Sequence, residues 1–490
     1  MKRLLGWFVL AVGMMGAEEP KLASGLVCAR CHNFIPAPGA VANAAAGPSV
    51  APYWLWLGTM MRHSGVDPYW QAAVRREKAS TPGVEKLTEE TCVRCHQPAG
   101  RFDAALAEEG ITCTVCHMMT PEKLGTRASY DAGFVLNGEA KMFGPHKDPF
   151  PMPMMMMAGY TPTYGPHVLD SAMCGSCHTV ITPVLDGAGK AHGEFIEQAP
   201  YLEWKVSRFA REGRGCAECH MPVLRNAKGD AVEQYIAHRP NGSGWFPPTS
   251  PRAPFGQHTF LGGNTVIPAL LAKQYPGRAE DLQRTVELNR AFLKTAVGLE
   301  ARARRAGEDV ELEVTLRNRT GHKLPTAYPS RRMWVHVKAE VGGRVVFESG
   351  KPGTVADGQP HREVIERGEQ ALVYEAEAVD LEGRTTVVLL RAARWGKDNR
   401  LLPEGFAGAG QDGAEVRAVG VGGDADFRAG EDTVRYRMAG VGGAAGAAGA
   451  ARVTVRVMYQ TIKPGHDLLG LGKGLGSEAE VMAEVVREVR

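Results

Sequence analysis

Cys92-Val-Arg-Cys95-His96 and Cys113-Thr-Val-Cys116-His117 are two copies of one five-residue word, with Cys113 only eighteen positions beyond Cys95. Three more copies complete the set: Cys28-Ala-Arg-Cys31-His32, Cys174-Gly-Ser-Cys177-His178 and Cys216-Ala-Glu-Cys219-His220. All ten cysteines of the chain lie inside these words. Two thiols three positions apart match the two vinyl groups on one porphyrin edge, and the adjoining imidazole turns under the ring to meet iron, so the word is a c-type haem attachment signature. A disulfide framework gives no reason for His after every second Cys. A zinc site combines two pairs rather than repeating one unit, and a thioredoxin-like pair lacks the His. The expectation is five c-type haems, each held by two thioethers and a proximal histidine.

The spacing of the words sets the architecture around them. Words two and three are close enough along the chain to make their haems near neighbours. All five words fall within about 200 residues, so the macrocycles themselves are expected to fill much of the apolar interior there. The Pro- and Gly-rich text of 145–166 agrees with a mostly helical and irregular region.

Outside the words, the chain carries general signals of its own. At 490 residues and 44% apolar side chains it exceeds one ordinary core, and two domains are expected. Lys2 and Arg3, an apolar stretch over 4–15 and the small pair Gly16 and Ala17 read as a cleaved signal peptide over 1–17. The apolar run is shorter than the roughly 20 residues that span a bilayer, and no later segment is long and apolar enough, so no membrane span is expected in the mature chain. Removing Lys2 and Arg3 takes the formal charge from +3 to +1. Five haems then add about ten propionate charges against about five from ferric cores, which excludes nucleic acid as a partner and leaves redox proteins. Export places the protein in the periplasm or outside the cell; oligomeric state is not legible.

Five proximal histidines leave ten of the fifteen unassigned: His63, His146, His167, His192, His238, His258, His322, His336, His361 and His466. There are enough for bis-His ligation of every iron. His336 reads as a strand residue, and His192 and His466 as loop residues. His167 stands seven positions before Cys174, within reach of a neighbouring haem. Met152, Met154, Met155, Met156 and Met157 form a cluster whose thioethers could ligate iron, although packing against porphyrin is the expected role.

Beyond His258 the period of the sequence changes. Leu282, Val286, Leu288, Phe292 and Leu293 recur at helical spacing, so 276–300 reads as a connecting helix. From Asp309 the period becomes two, and 309–317, 332–341, 344–349, 371–379, 385–392, 433–438 and 452–460 read as strands of an antiparallel β-sandwich over 301–490. The nearly all-Gly and Ala text of 440–449 reads as a flexible hairpin loop. The fold class is therefore α+β, with a haem-packed domain over 18–275 ahead of the sandwich.

Several further strings belong together. They are Trp56-Leu-Gly-Thr-Met-Met-Arg-His63, Asp67-Pro-Tyr-Trp70, Gly110-Ile-Thr-Cys113, Tyr201-Leu-Glu-Trp-Lys205 and Cys219-His-Met-Pro222, followed by His258-Thr-Phe-Leu-Gly-Gly-Asn264, Thr320-Gly-His-Lys-Leu-Pro325, Tyr328-Pro-Ser-Arg-Arg332 and Lys397-Asp-Asn-Arg-Leu-Leu-Pro403. In combination they resemble a family of bacterial multihaem c-type cytochromes related to the cytochrome c-554 type. The resemblance implies electron transfer, bis-His haems and distal ligands at His63, His258 and His322, with His167 as a fourth. The fifth distal ligand stays unassigned between His361 and His146, or one iron is five-coordinate. An electron carrier needs no catalytic residue. The alternative is an oxidoreductase acting on a small nitrogen or sulfur compound at an open-coordinate haem, which needs an iron without a distal ligand and acid or base groups beside it.

Overall fold

A computed structural model describes residues 19–35, 49–240, 244–246, 248–448, 450–472 and 478–490. The expected signal peptide lies outside the described residues. The chain is α+β: short helices and irregular text come first, and a mostly antiparallel sheet region follows.

In the first half each word sits on or beside a helical turn. Gly25–His32 and Glu85–His96 end on words one and two, while Cys113–His117 and Cys216–His220 are words three and five themselves. Ser171–Gly175 leads into word four. On a helix, positions i, i+3 and i+4 share a face, so this local structure turns both thiols and the imidazole of a word the same way. Caps fix where the turns begin: Ser24 accepts from the Leu26 amide, and Asp67 accepts from Tyr69 and Trp70 ahead of Pro68–Ser80. Among the described residues, the named strands of this half are a parallel pair, β1 (Lys141–Gly144) with β2 (Thr161–Tyr164), and a hairpin of β3 (Val180–Leu185) and β4 (Ala191–Gln198). The methionine cluster forms the short helix Met152–Ala158 between β1 and β2, with Met152, Met155 and Met156 exposed and Met154 packed near Met118, Met142 and Tyr160.

The connecting helix runs over Ala279–Leu293 and buries Leu282, Val286 and Leu293 along one stripe. Leu282 packs with Tyr69, Leu271 and Ile462, and so ties the two halves of the chain together.

The second half is two sheets. The smaller has the order β5 (Val297–Ala306), β6 (Asp309–Asn318), β13 (Glu431–Met438) and β9 (Val364–Ile365). The larger runs β11 (Thr385–Thr386), β10 (Val373–Val379), β7 (Arg332–Val341), β14 (Ala451–Gln460) and β15 (Glu480–Val489). In it β8 (Arg344–Ser349) pairs with β7, and β12 (Arg394–Asp398) pairs with β10. Pairing is antiparallel except between β13 and β9. Along β6, Val310, Leu312, Val314 and Leu316 are all buried, as a period of two requires.

Several segments differ from the sequence reading, among them β9 and β12, which fall outside every strand read from the sequence. β5 begins at Val297, inside the span assigned to the connecting helix; its inward residues include Ala301 and Ala303, too small to mark a period. β15 was not anticipated, because it is an edge strand with little buried surface. Residues 385–392 supply only the two-residue β11, after which Leu389–Arg391 turns as 3-10 helix. The Glu77 carboxylate accepts the Leu389 and Leu390 amides there, taking them out of any ladder. Gly440–Gly449 contains the helix Val441–Ala448 rather than a flexible loop: Val441 and Ala445, one turn apart, are buried against the sandwich core, and alanine favours the helical state.

Candidate haem centres

In three words the proximal imidazole is held by a backbone carbonyl. Nδ1 of His32 donates to Ile236 O at 2.6 Å, Nδ1 of His117 to Phe143 O at 2.6 Å, and Nδ1 of His220 to Leu261 O. A proton committed to Nδ1 leaves the Nε2 lone pair for a metal, the arrangement seen at metal-bound histidines generally. Burial pushes all three imidazoles below their ordinary value, and pushes His96 and His178 down to about 4. They are therefore neutral at neutral pH, as ligation demands. His96 differs from the others: its ring stacks on Trp70 at 4.8 Å with the planes 7° apart, and its buried Nδ1 has no partner among the described residues.

Two proximal rings are faced by a second imidazole. His117 and His258 stand 6.2 Å apart between centroids, with planes inclined by 21°. His220 and His322 stand 6.2 Å apart, inclined by 23°. A metal–imidazole bond of about 2.0 Å on each side, plus the depth of each ring, spans that distance. Burial, with help from His117 and His32, holds His258 down at about 3. His322 reaches in from the loop after β6, its Nδ1 donating to Lys323 O at 2.8 Å.

The remaining candidates are placed as follows. His63 is buried, with Nε2 bonded to Leu57 O at 3.0 Å, so Nδ1 is its free nitrogen; burial pushes it down to about 4. Nε2 of His167 bonds to Met119 O at 2.9 Å, and its ring lies against Phe143, whose carbonyl holds His117. His146 is half-buried and pushed down by burial and by Arg252. His361 lies in the sheet region among Asn399, Asp424 and Asp432. Asn399 accepts from the Glu375 amide and donates to Val373 O, which orients its amide so that Nδ2 donates to Nδ1 of His361 at 3.0 Å. Nε2 of His361 then donates to Asp424 at 2.9 Å. Neither ring nitrogen keeps a lone pair for iron, nor for an ion bound with Asp424 and Asp432.

None of the ten cysteines is paired in a disulfide, and each is half-buried. Three thiol pairs lie close together across words: Cys28 with Cys113, Cys95 with Cys177, and Cys174 with Cys216. Cys116 lies in electrostatic contact with Cys174 and Cys177. Word two thus meets word four directly, a juxtaposition chain spacing could not reveal. Beside word two, a cleft of about 530 Å³ is lined by Phe102, Tyr130 and Phe134 together with Arg94, Arg101 and Arg127. Aromatic walls and guanidinium groups suit a flat macrocycle bearing carboxylates. The donor set and this lining fit c-type haem. Sequence reasoning missed the carbonyls of Ile236, Phe143 and Leu261, because a backbone acceptor leaves no mark in the side-chain text.

The whole fold has a counterpart. The chain is similar to a penta-haem cytochrome c552 from Thermochromatium tepidum, with a TM-score of 0.57 and 16% identity over 95% of this chain and 98% of that one. The two share a fold along nearly their full length. No family model and no curated protein matches the sequence. Among the described residues no helix is long and apolar enough to cross a membrane.

Proposed function

We propose that this chain is an exported multihaem c-type cytochrome, related to the cytochrome c-554 type, that binds five haems and passes single electrons between redox partner proteins in the periplasm or outside the cell. The bound haem supplies a one-electron iron couple; the chain's residues attach, ligate and space it. Cys28, Cys31, Cys92, Cys95, Cys113, Cys116, Cys174, Cys177, Cys216 and Cys219 form the thioethers. His32, His96, His117, His178 and His220 are the proximal ligands.

The carrying observation is the 6.2 Å spacing of two imidazole pairs on rings kept neutral by burial. On that support His258 is the distal ligand at word three and His322 at word five. His63, through Nδ1, and His167 serve two of the others. With both nitrogens of His361 engaged, His146 is the remaining candidate for the fifth. The signal peptide covers 1–17. The haem domain begins at 18, and its boundary with the sandwich falls at the end of the helix Ala279–Leu293.

Electron paramagnetic resonance of the oxidised holoprotein, together with a haem count by pyridine haemochrome, tests this reading. Five haems per chain with low-spin signals are expected. His258→Ala and His322→Ala should each convert one haem in five to high-spin. Free thiols in the words of the mature protein would refute haem attachment. A high-spin signal in the unmutated protein would replace the carrier reading with the open-iron one.

A further inference from the structure

We propose that Glu203 is a positioning residue that locks His322 over the fifth haem site. The proposal rests on the reading that His322 ligates there.

Glu203 lies on the helix Pro200–Lys205 in the first half, 1% exposed. That helix is anchored to word four, since the Tyr201 amide donates to His178 O at 3.4 Å. From there the carboxylate reaches across to the sheet domain. Its Oε2 accepts the Lys323 amide at 3.1 Å and the Thr326 hydroxyl, and its Oε1 stands 3.4 Å from Arg400. Arg400 grips both oxygens of Asp398 at 2.7 Å, and Asp398 takes the Lys323 ammonium at 2.5 Å. Lys323, Asp398, Arg400 and Glu203 thus close a buried ring of ion pairs and hydrogen bonds. Burial alone would raise Asp398, yet Arg400 and Lys323 bring it down to about 2.

The ring acts on His322 through one residue. The Lys323 carbonyl accepts the His322 Nδ1 proton, while the Lys323 amide is held by Glu203. From the other side Asn318 donates to the His322 carbonyl at 2.7 Å. Gly321 lets the loop lie flat on the first half, because a Cβ there would fall 3.1 Å from Trp204. An apolar contact could dock the loop, but only directional bonds fix the rotation of the imidazole about its own axis. That rotation is what the 23° angle to His220 records. Near-parallel imidazole planes give a rhombic low-spin ferric signal, and planes turned toward perpendicular give a more axial one.

The holoprotein variants Glu203→Ala and Glu203→Gln test this by electron paramagnetic resonance and redox titration. Glu203→Ala should shift one haem in five from rhombic toward axial or high-spin and move its potential, leaving the other signals in place. Glu203→Gln keeps an acceptor for the Lys323 amide and should remain closer to the parent. Should Glu203→Ala yield no loaded protein, Thr326→Val removes one bond to the carboxylate without stranding a charge and should give the same shift, smaller. A parent-like spectrum in the Ala variant, or in Thr326→Val where that is the variant obtained, overturns the proposal. His322→Ala separates the two ideas: if it leaves every haem low-spin, the ligation reading itself has failed. If it converts one haem while Glu203→Ala is silent, only the positioning role has failed.

Discussion

In the sheet domain Leu312, Val314, Val335, Leu372, Tyr436 and Val455 belong to one continuous buried cluster that spans both sheets. In the first half the buried apolar residues fall into separate islands. Tyr130 and Leu202 make one, Ile35 and Phe255 another, Leu106 and Val115 a third, Met118 and Tyr160 a fourth. The same physics produces both patterns. A strand pair buries every second side chain against its partner sheet, whereas a chain threaded around flat macrocycles needs only enough side chains to seal the gaps between them. On the proposed haem-binding reading, the sandwich should be stable without cofactor and the first half only with it.

Producing the chain in a host that cannot attach haem should break this contrast most visibly. The first half should become protease-sensitive, and a resistant fragment beginning near Val297 should remain, identified by mass spectrometry. Equal resistance of both halves would show that the islands suffice. A smaller effect should follow from Leu312→Ala, fully buried on β6. It should cost about 2–5 kcal/mol in urea unfolding of the sheet domain, while the haem spectrum before the transition stays as in the parent. A loss below 1 kcal/mol would mean the core relaxes around the cavity.

The smallest effect sits at the seam between the halves. Burial raises Glu77 from 4.5 to about 7, although its bonds to Leu389 and Leu390 lower it in part. Its folded value lies above its unfolded one, so its contribution is fully present below pH 4.5 and lost as pH rises through 7. Glu77→Gln should flatten the fall in unfolding free energy between pH 5 and pH 8. An unchanged slope would locate that pH dependence elsewhere.

The contrast also explains what was legible in the text. The words announce themselves because one spacing of two thiols and an imidazole recurs five times, and β6 or β7 show because large residues alternate with polar ones. β5 and β15 hide because small or half-exposed residues carry them. That His322 faces His220 was not legible in the sequence, since the two residues lie in different halves of the chain. Residues 385–392 escaped because a carboxylate from far along the chain commandeers two amides, which no local period records.

The cysteines also fix which words neighbour one another. Among the described residues, words two, three and five each adjoin word four, and word one adjoins word three. The layout is a star with one long arm, not a line. On the proposed electron-transfer reading, a current entering beside word one, two or five would have to cross at word four, and damage at that one crossing would strand every branch.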